Sequence, residues 1–186
     1  GIVAETSYKN QYSNYESWSY SWANEPYQTV NYASSHDNFT LWDKLQASTG
    51  LYSGNLEHKS KLVEMNKMAA AIILTSQGIP FFQGGEELAR TKEIAKGLYD
   101  YNSYKSPDSI NMIHWERKID YNDLFKYYKG LIKLRKAHKI FRMDSHEDIN
   151  NRLRFINVTE PNVVAYVLYG GKLDGAILEG ESWRVI

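Results

Sequence analysis

Apolar positions recur at three- and four-residue spacing most clearly in one stretch: Leu62, Met65, Met68, Ala69, Ile72 and Ile73. Lys59, Lys61, Glu64 and Lys67 fall largely on the other face. That period predicts an amphipathic helix, stopped near Ser76 by Gly78 and then Pro80. A second helical pattern runs from about Asn122 to His138. Its apolar positions are Leu124, Tyr127 or Tyr128, Leu131 and Leu134, and Lys133, Arg135 and Lys136 sit at the end that suits the helix dipole. Thr29–Tyr32 is short and β-prone and runs into the loop Ala33-Ser34-Ser35. Ile79–Phe82 reads as a short buried strand, with Pro80 tolerable only near its beginning. Residues 86–120 show no regular pattern, and a connection of that length is usually functional or disordered. Residues 1–28 are polar and aromatic without clean periodicity and are expected to be irregular, with one short helix.

After Phe141 the texture changes. Leu153 and Phe155 alternate with Arg152 and Arg154, Thr159-Glu160-Pro161-Asn162 is a turn, and Val163–Tyr169 is a second strand, so a β-hairpin is expected. Trp183–Ile186 is strand-like, and no helical period returns before it, which places a domain boundary near residue 143. Strand, loop, helix, strand, long loop, helix is two consecutive βα units, which build parallel sheets with helices outside. Two units do not cover both faces of their own sheet. The expectation is therefore an α/β fold in which residues 1–142 belong to a larger barrel or sheet, followed over 143–186 by the start of an all-β domain. The two predicted strands should be parallel neighbours, with apolar faces that lack partners inside this chain.

Composition narrows the function classes. Lys and Arg number 22 and so do Asp and Glu, so the net charge is zero and nothing suggests a basic nucleic-acid coat. There is no cysteine, which excludes disulfides and thiolate metal sites and leaves the redox compartment open. The longest apolar run, Met68–Leu74, is far below a membrane span. No cofactor is implied, since no His pair has i, i+4 spacing and no Asp-rich calcium loop occurs. Tyrosine stands out, with 15 of the residues. The stretch Tyr8–Tyr32 interleaves tyrosines and tryptophans with Asn, Ser and Gln. It reads either as partly buried surface rings or as a carbohydrate-contacting loop, in which the apolar face of a sugar packs on a ring and Asn and Gln bond its hydroxyls.

In a parallel α/β architecture functional groups gather on the loops after the strands. That rule points to Ser35-His36-Asp37-Asn38 and to Gly84-Gly85-Glu86-Glu87 with the long loop behind it. An Asp at a strand exit serves as nucleophile, base or fixed charge beside a developing cation, or simply caps a turn while the His bonds a backbone carbonyl. The other histidines are weaker candidates. His138 lies on the charged end of a helix and reads as solvated, His58 has no partner in sequence, and His114-Trp115 is expected to pack the long loop onto the barrel. Arg142–His146 reads as a solvated linker.

Four stretches, in order, carry a resemblance. Tyr32-Ala33-Ser34-Ser35-His36-Asp37-Asn38-Phe39-Thr40-Leu41-Trp42-Asp43-Lys44-Leu45 closely resembles the segment around the seventh barrel strand of type I pullulanases, members of the α-amylase superfamily of glycoside hydrolases. Gly78-Ile79-Pro80-Phe81-Phe82-Gln83-Gly84-Gly85-Glu86-Glu87 is similar to the eighth-strand motif. Asn102-Ser103-Tyr104 through Asp108 to Trp115 resembles the loop that follows, and Tyr127–Arg135 the last barrel helix. The resemblance implies the C-terminal portion of a (β/α)8 barrel followed by the start of a β-sandwich. It also implies retaining hydrolysis of α-1,6 linkages in pullulan, amylopectin and related α-glucans. On this basis Asp37 matches the transition-state-stabilising Asp and His36 a residue that hydrogen-bonds the sugar, with Asn38 beside them. Asn102 and Tyr104 match positions lining the substrate subsites, and Glu87 a motif Glu of mostly structural role.

The departure from the pattern is as informative. In that family the nucleophile follows the fourth strand and the acid/base the fifth, both well before the seventh-strand motif. No Gly-x-Arg-x-Asp string occurs here, and Glu5 stands alone among carboxylates before residue 16. Retaining hydrolysis needs two carboxyl groups flanking the bond, and this chain is expected to supply neither. The implied partners are the α-glucan and a missing N-terminal part of the same enzyme, with no nucleic acid and no membrane span. The implied location is extracellular or on a bacterial cell surface, with the cytoplasm as the alternative. A non-catalytic α-glucan-binding module that keeps the aromatic loops is the competing reading.

Overall fold

The computed structural model describes residues 1–8 and 21–170, and the backbone of 183–185. Its elements, in chain order, are strand β1 (Val30–Asn31), helices α1 (Leu41–Thr49) and α2 (Leu56–Thr75), and strand β2 (Ile79–Pro80). The hairpin strands β3 (Glu93–Ala95) and β4 (Leu98–Tyr99) follow. Then come the one-turn helices α3 (Asp108–Asn111) and α4 (Arg117–Asp120), the long helix α5 (Asn122–Ala137), the short helix α6 (His146–Arg152), and strands β5 (Leu153–Ile156), β6 (Ala165–Leu168) and β7 (Trp183–Val185). Contacts divide the chain into two compact units. One comprises residues 1–31, 75–80 and 135–186, and the other 32–74 and 81–134.

In the first unit β1 and β2 lie side by side and parallel, Val30 opposite Ile79 and Asn31 opposite Pro80, as the βα pattern requires. The pairing stops at Pro80, earlier than Phe82. Val30 and Ile79 are exposed, so this two-stranded piece carries apolar side chains that the described residues leave uncovered. Gly78 sets up the pairing. It has φ +90°, and a Cβ there would lie 2.5 Å from the Thr29 hydroxyl and 3.0 Å from the Asn31 amide nitrogen. Gly78→Ala therefore combines backbone strain with a clash and should destabilise the protein by about 2–4 kcal/mol. Chemical denaturation of the variant against wild type measures this, and a loss below about 0.5 kcal/mol would show that the tight approach does not exist.

The same unit holds an antiparallel sheet in the order β5-β6-β7. Leu153 faces Leu168 and Ile156 faces Ala165, and on the other side Tyr166 faces Val185. Tyr166 is buried and donates to the Thr75 hydroxyl at 2.8 Å. The preceding segment is not the solvated linker that its charges suggested. Ser145 caps α6 by accepting from the Asp148 N–H, and α6 runs directly into β5. Its polar sequence, His-Glu-Asp-Ile-Asn-Asn-Arg, buries only Ile149, too little for an apolar period to show. Buried Gln77 ties this unit together, donating to the Ile140 carbonyl at 3.0 Å and accepting from the Met143 N–H at 2.9 Å.

The second unit has the main apolar core. Trp42 of α1, Leu62, Val63, Ala70 and Leu74 of α2, Ala89, Tyr121, and Leu124 and Tyr128 of α5 pack into one cluster. The apolar face of α2 is rotated from the predicted one: Met68 and Ile72 are exposed, while Val63, Asn66 and Ala70 are buried. Asn66 explains the shift, because its buried side chain accepts a hydrogen bond from Tyr128 at 2.9 Å and so belongs inside. On α5 it is Tyr128, not the more exposed Tyr127, that enters the core. α1 lacks a clear apolar period, yet it is well specified. Thr40 accepts from the Asp43 N–H at the start, and Gly50, at φ 70°, closes the end. The long stretch 86–120 is likewise built rather than patternless, with the β3–β4 antiparallel hairpin and short helical turns, each too brief to leave a period.

Candidate active site

Residues 36–38 form the bend that feeds α1. Thr40 at the helix cap fixes where the chain enters the first turn, and Asn38 has φ 63°, the left-handed conformation that Asn tolerates best after Gly. This backbone aims His36 and Asp37 out of the fold. Their side chains are 87% and 75% exposed, with His36 Nε2 3.4 Å from Asp37 Oδ2. Asn38 is exposed beside them.

Three polar links hold the bend. The buried carboxylate of Asp43, in the first turn of α1, accepts from the Thr91 hydroxyl and, at 2.8 Å, from the Lys92 N–H. The Lys92 ammonium returns the link by donating to the His36 carbonyl at 3.2 Å. Burial raises the pKa of Asp43 and lowers that of Lys92. Phe39 then meets Tyr99 and Tyr101 edge-on, with ring centroids 6.2 and 6.3 Å apart, which fastens the bend to β4 and the residues after it.

Asn102 and Tyr104 follow directly. The Asn102 N–H bonds Asp100 at 3.0 Å, and Asp100 also accepts from the Ser106 hydroxyl, closing a tight loop. Asn111 braces it from α3, donating to the carbonyls of Ser103 at 2.7 Å and Ser106 at 3.0 Å. Tyr104 projects from this loop and is 74% exposed, and Tyr101 beside it is exposed as well. The structure thus brings the His36–Asn38 bend and the Asn102–Tyr104 loop into one unit, joined through Phe39 and Tyr101. No direct bond between the two groups occurs among the described residues.

The sequence resemblance points to Glu87 as the motif carboxylate of the second loop, but the buried one is its neighbour. Glu86 accepts from the Ser34 hydroxyl, from the Gln83 N–H at 3.1 Å and from the Tyr128 hydroxyl at 3.3 Å. Burial raises its pKa despite those donors. Glu87 accepts from the Gly85 N–H at 3.0 Å. Glu86 therefore links the Gly84-Gly85 turn to the strand exit two residues before His36. Of two adjacent carboxylates, sequence alone gives no sign which one faces inward.

The other histidines are placed as follows. His58 lies within α2 and does have a partner, accepting from the Tyr52 N–H at 3.2 Å. His114 sits 2.7 Å from Glu116, and Trp115 is 65% exposed. His114-Trp115 therefore does not pack the long loop down. That work falls to Arg117, which donates to the Leu88 carbonyl at 3.2 Å, and to Arg90, which bonds the Asn111 carbonyl. Of the Tyr8–Tyr32 aromatic stretch, Tyr8 is structural: its hydroxyl reaches the Leu153 carbonyl at 3.0 Å and its ring meets Phe155 edge-on. Tyr12, Tyr15, Trp18 and Tyr20 lie outside the described residues. Among the described residues no three His, Asp or Glu gather into a metal site, and no helix is long and apolar enough to cross a membrane.

No protein-family model matches the chain. A pullulanase of Bacillus subtilis is 41% identical over 162 residues, which is 87% of this chain and 20% of that protein. Among solved structures, the pullulanase of Paenibacillus barengoltzii in complex with maltohexaose and α-cyclodextrin superposes with a TM-score of 0.76 at 40% identity, over 91% of this chain and 23% of that one. The pullulanase of Bacillus acidopullulyticus gives 0.70 at 40% identity, over 79% and 17%. The chain thus spans about a fifth of the length of the Bacillus subtilis relative.

Proposed function

Since the chain is homologous to the pullulanases over most of its length, we propose that it is a segment of an α-1,6-glucan debranching hydrolase of the α-amylase family, acting on pullulan, amylopectin and related α-glucans. In this reading residues 1–142 are the end of the (β/α)8 barrel and 143–186 begin a β-sandwich. The parallel β1–β2 pair and the antiparallel β5-β6-β7 sheet support the two parts.

The observation that carries the proposal is the braced bend at 36–38, which presents an exposed carboxylate on the segment that leads into α1. Hydrolysis of a glycosidic bond passes through an oxocarbenium-like state, in which positive charge grows on the sugar. Asp37, fixed by the backbone rather than by its own side-chain bonds, meets that charge with no reorganisation. His36 and Asn38 supply hydrogen bonds to the hydroxyls of the same sugar. Asn102 does so further along, and the exposed ring of Tyr104 stacks on an apolar sugar face. The nucleophile, the acid/base and the walls that exclude water come from the remainder of the protein, which is also the partner this segment needs.

A purified 186-residue chain should therefore release no reducing sugar from pullulan, and release that survives controls for contaminating enzyme would overturn the division of labour. A second reading, a non-catalytic α-glucan-binding module, is favoured by the exposed rings of Tyr101 and Tyr104, which need no carboxylate to hold sugar.

A further inference from the structure

Lys92 is out of place by simple packing rules. It is almost fully buried, and a buried ammonium is costly unless its charge is used. A methionine of similar length would fill the same space without that cost. The segment's attachment to α1 does not need the ammonium either, because Asp43 takes the Lys92 backbone N–H and the Thr91 hydroxyl. Among the described residues the hydrogen bond of the ammonium goes to the carbonyl of His36, one residue before Asp37. Its charge is also felt by Asp100, Asp43 and Asp37, and opposed by Arg90.

We infer that Lys92 is a positioning residue for the reaction proposed above, on which this inference rests: its ammonium grips the His36 carbonyl and so fixes the peptide plane from which Asp37 projects. The other links reach the bend only at its flank, through Asp43 in α1 and the ring of Phe39, and leave the His36 carbonyl to the ammonium. Among the described residues the Asp37 carboxylate pairs only with the exposed His36, and Asn38 holds a left-handed φ of 63°. Losing the grip lets Asp37 swing by an ångström or so, which weakens its interaction with the transition state more than binding of the neutral substrate.

The test uses the full-length protein, with kcat and KM on pullulan measured for wild type, Asp37→Asn, Lys92→Met and Lys92→Ala. Lys92→Met should lower kcat by about ten- to a hundredfold while KM stays within about threefold, with the thermal midpoint within a few degrees of wild type. Adding n-propylammonium, which replaces the atoms removed in Lys92→Ala, should restore at least part of the lost kcat, and n-propanol should not. A Lys92→Met enzyme with kcat within about threefold of wild type, where Asp37→Asn is strongly impaired, overturns this inference alone. So does a parallel loss of stability, kcat and KM with no rescue by the amine, which is the mark of a merely structural lysine. A wild-type protein that does not debranch, or an Asp37→Asn variant at full rate, overturns the function proposed above and this inference with it.

Discussion

Asp37→Asn in the full-length protein is expected to lower kcat on pullulan by about a hundred- to a thousandfold with little change in KM. The substitution keeps size and part of the hydrogen bonding and removes the charge. The neutral substrate does not feel that charge strongly, but the oxocarbenium-like state does, so the loss falls on the chemical step. Removing one preorganised electrostatic partner costs about 3–4 kcal/mol in a water-poor site. His36→Ala should behave differently. It deletes a hydrogen bond made to the sugar in both ground and transition states, so KM should rise as kcat falls. Steady-state kinetics of the two variants separate these outcomes. An Asp37→Asn enzyme within about threefold of wild-type kcat would reduce Asp37 to a turn residue.

The second large effect is structural and lies beneath the first. Glu86→Leu should destabilise the protein by about 2–4 kcal/mol. The buried Gln83 N–H and Ser34 hydroxyl lose their acceptor, while Tyr128 keeps its bond to Asn66. Each orphaned buried group costs about 1–3 kcal/mol, offset in part because an ionised carboxylate no longer has to be desolvated. That offset gives the effect a pH dependence. Burial raises the Glu86 pKa above its ordinary 4.5, so the folded protein holds the proton more tightly than the unfolded one. Its contribution is fully present below that ordinary value and declines as pH rises through the higher folded value. The gap between wild type and Glu86→Leu should therefore be widest in acid and narrow toward neutrality. Denaturant melts at several pH values check both size and sign, and a gap that widens as pH rises would contradict the account.

Long apolar periods were legible, and so α2 and α5 stand where the sequence places them. β1 and β2 also lie where the β-prone pieces fall, each shorter than predicted. What was not legible depends on partners distant in sequence. The rotation of α2 follows from a bond between Asn66 and Tyr128, and the inward choice of Glu86 over Glu87 from Ser34 and Tyr128. Helix α1 could have been found from Thr40, Asp43 and Gly50, which are local cap signals. Helix α6 buries a single apolar residue and left nothing for periodicity to find. The candidate site was legible only as a motif. Its support by Asp43, Thr91 and Lys92 rests on a contact between residues about 50 positions apart, which no local pattern records.

The central claim is that this braced bend serves a debranching reaction, and the bond that is cut tests it most directly. The full-length protein carrying this sequence, given pullulan and a linear α-1,4-glucan side by side, should generate reducing ends from pullulan and leave the linear chain nearly untouched. No release from pullulan, or equal attack on both polymers, would contradict the account.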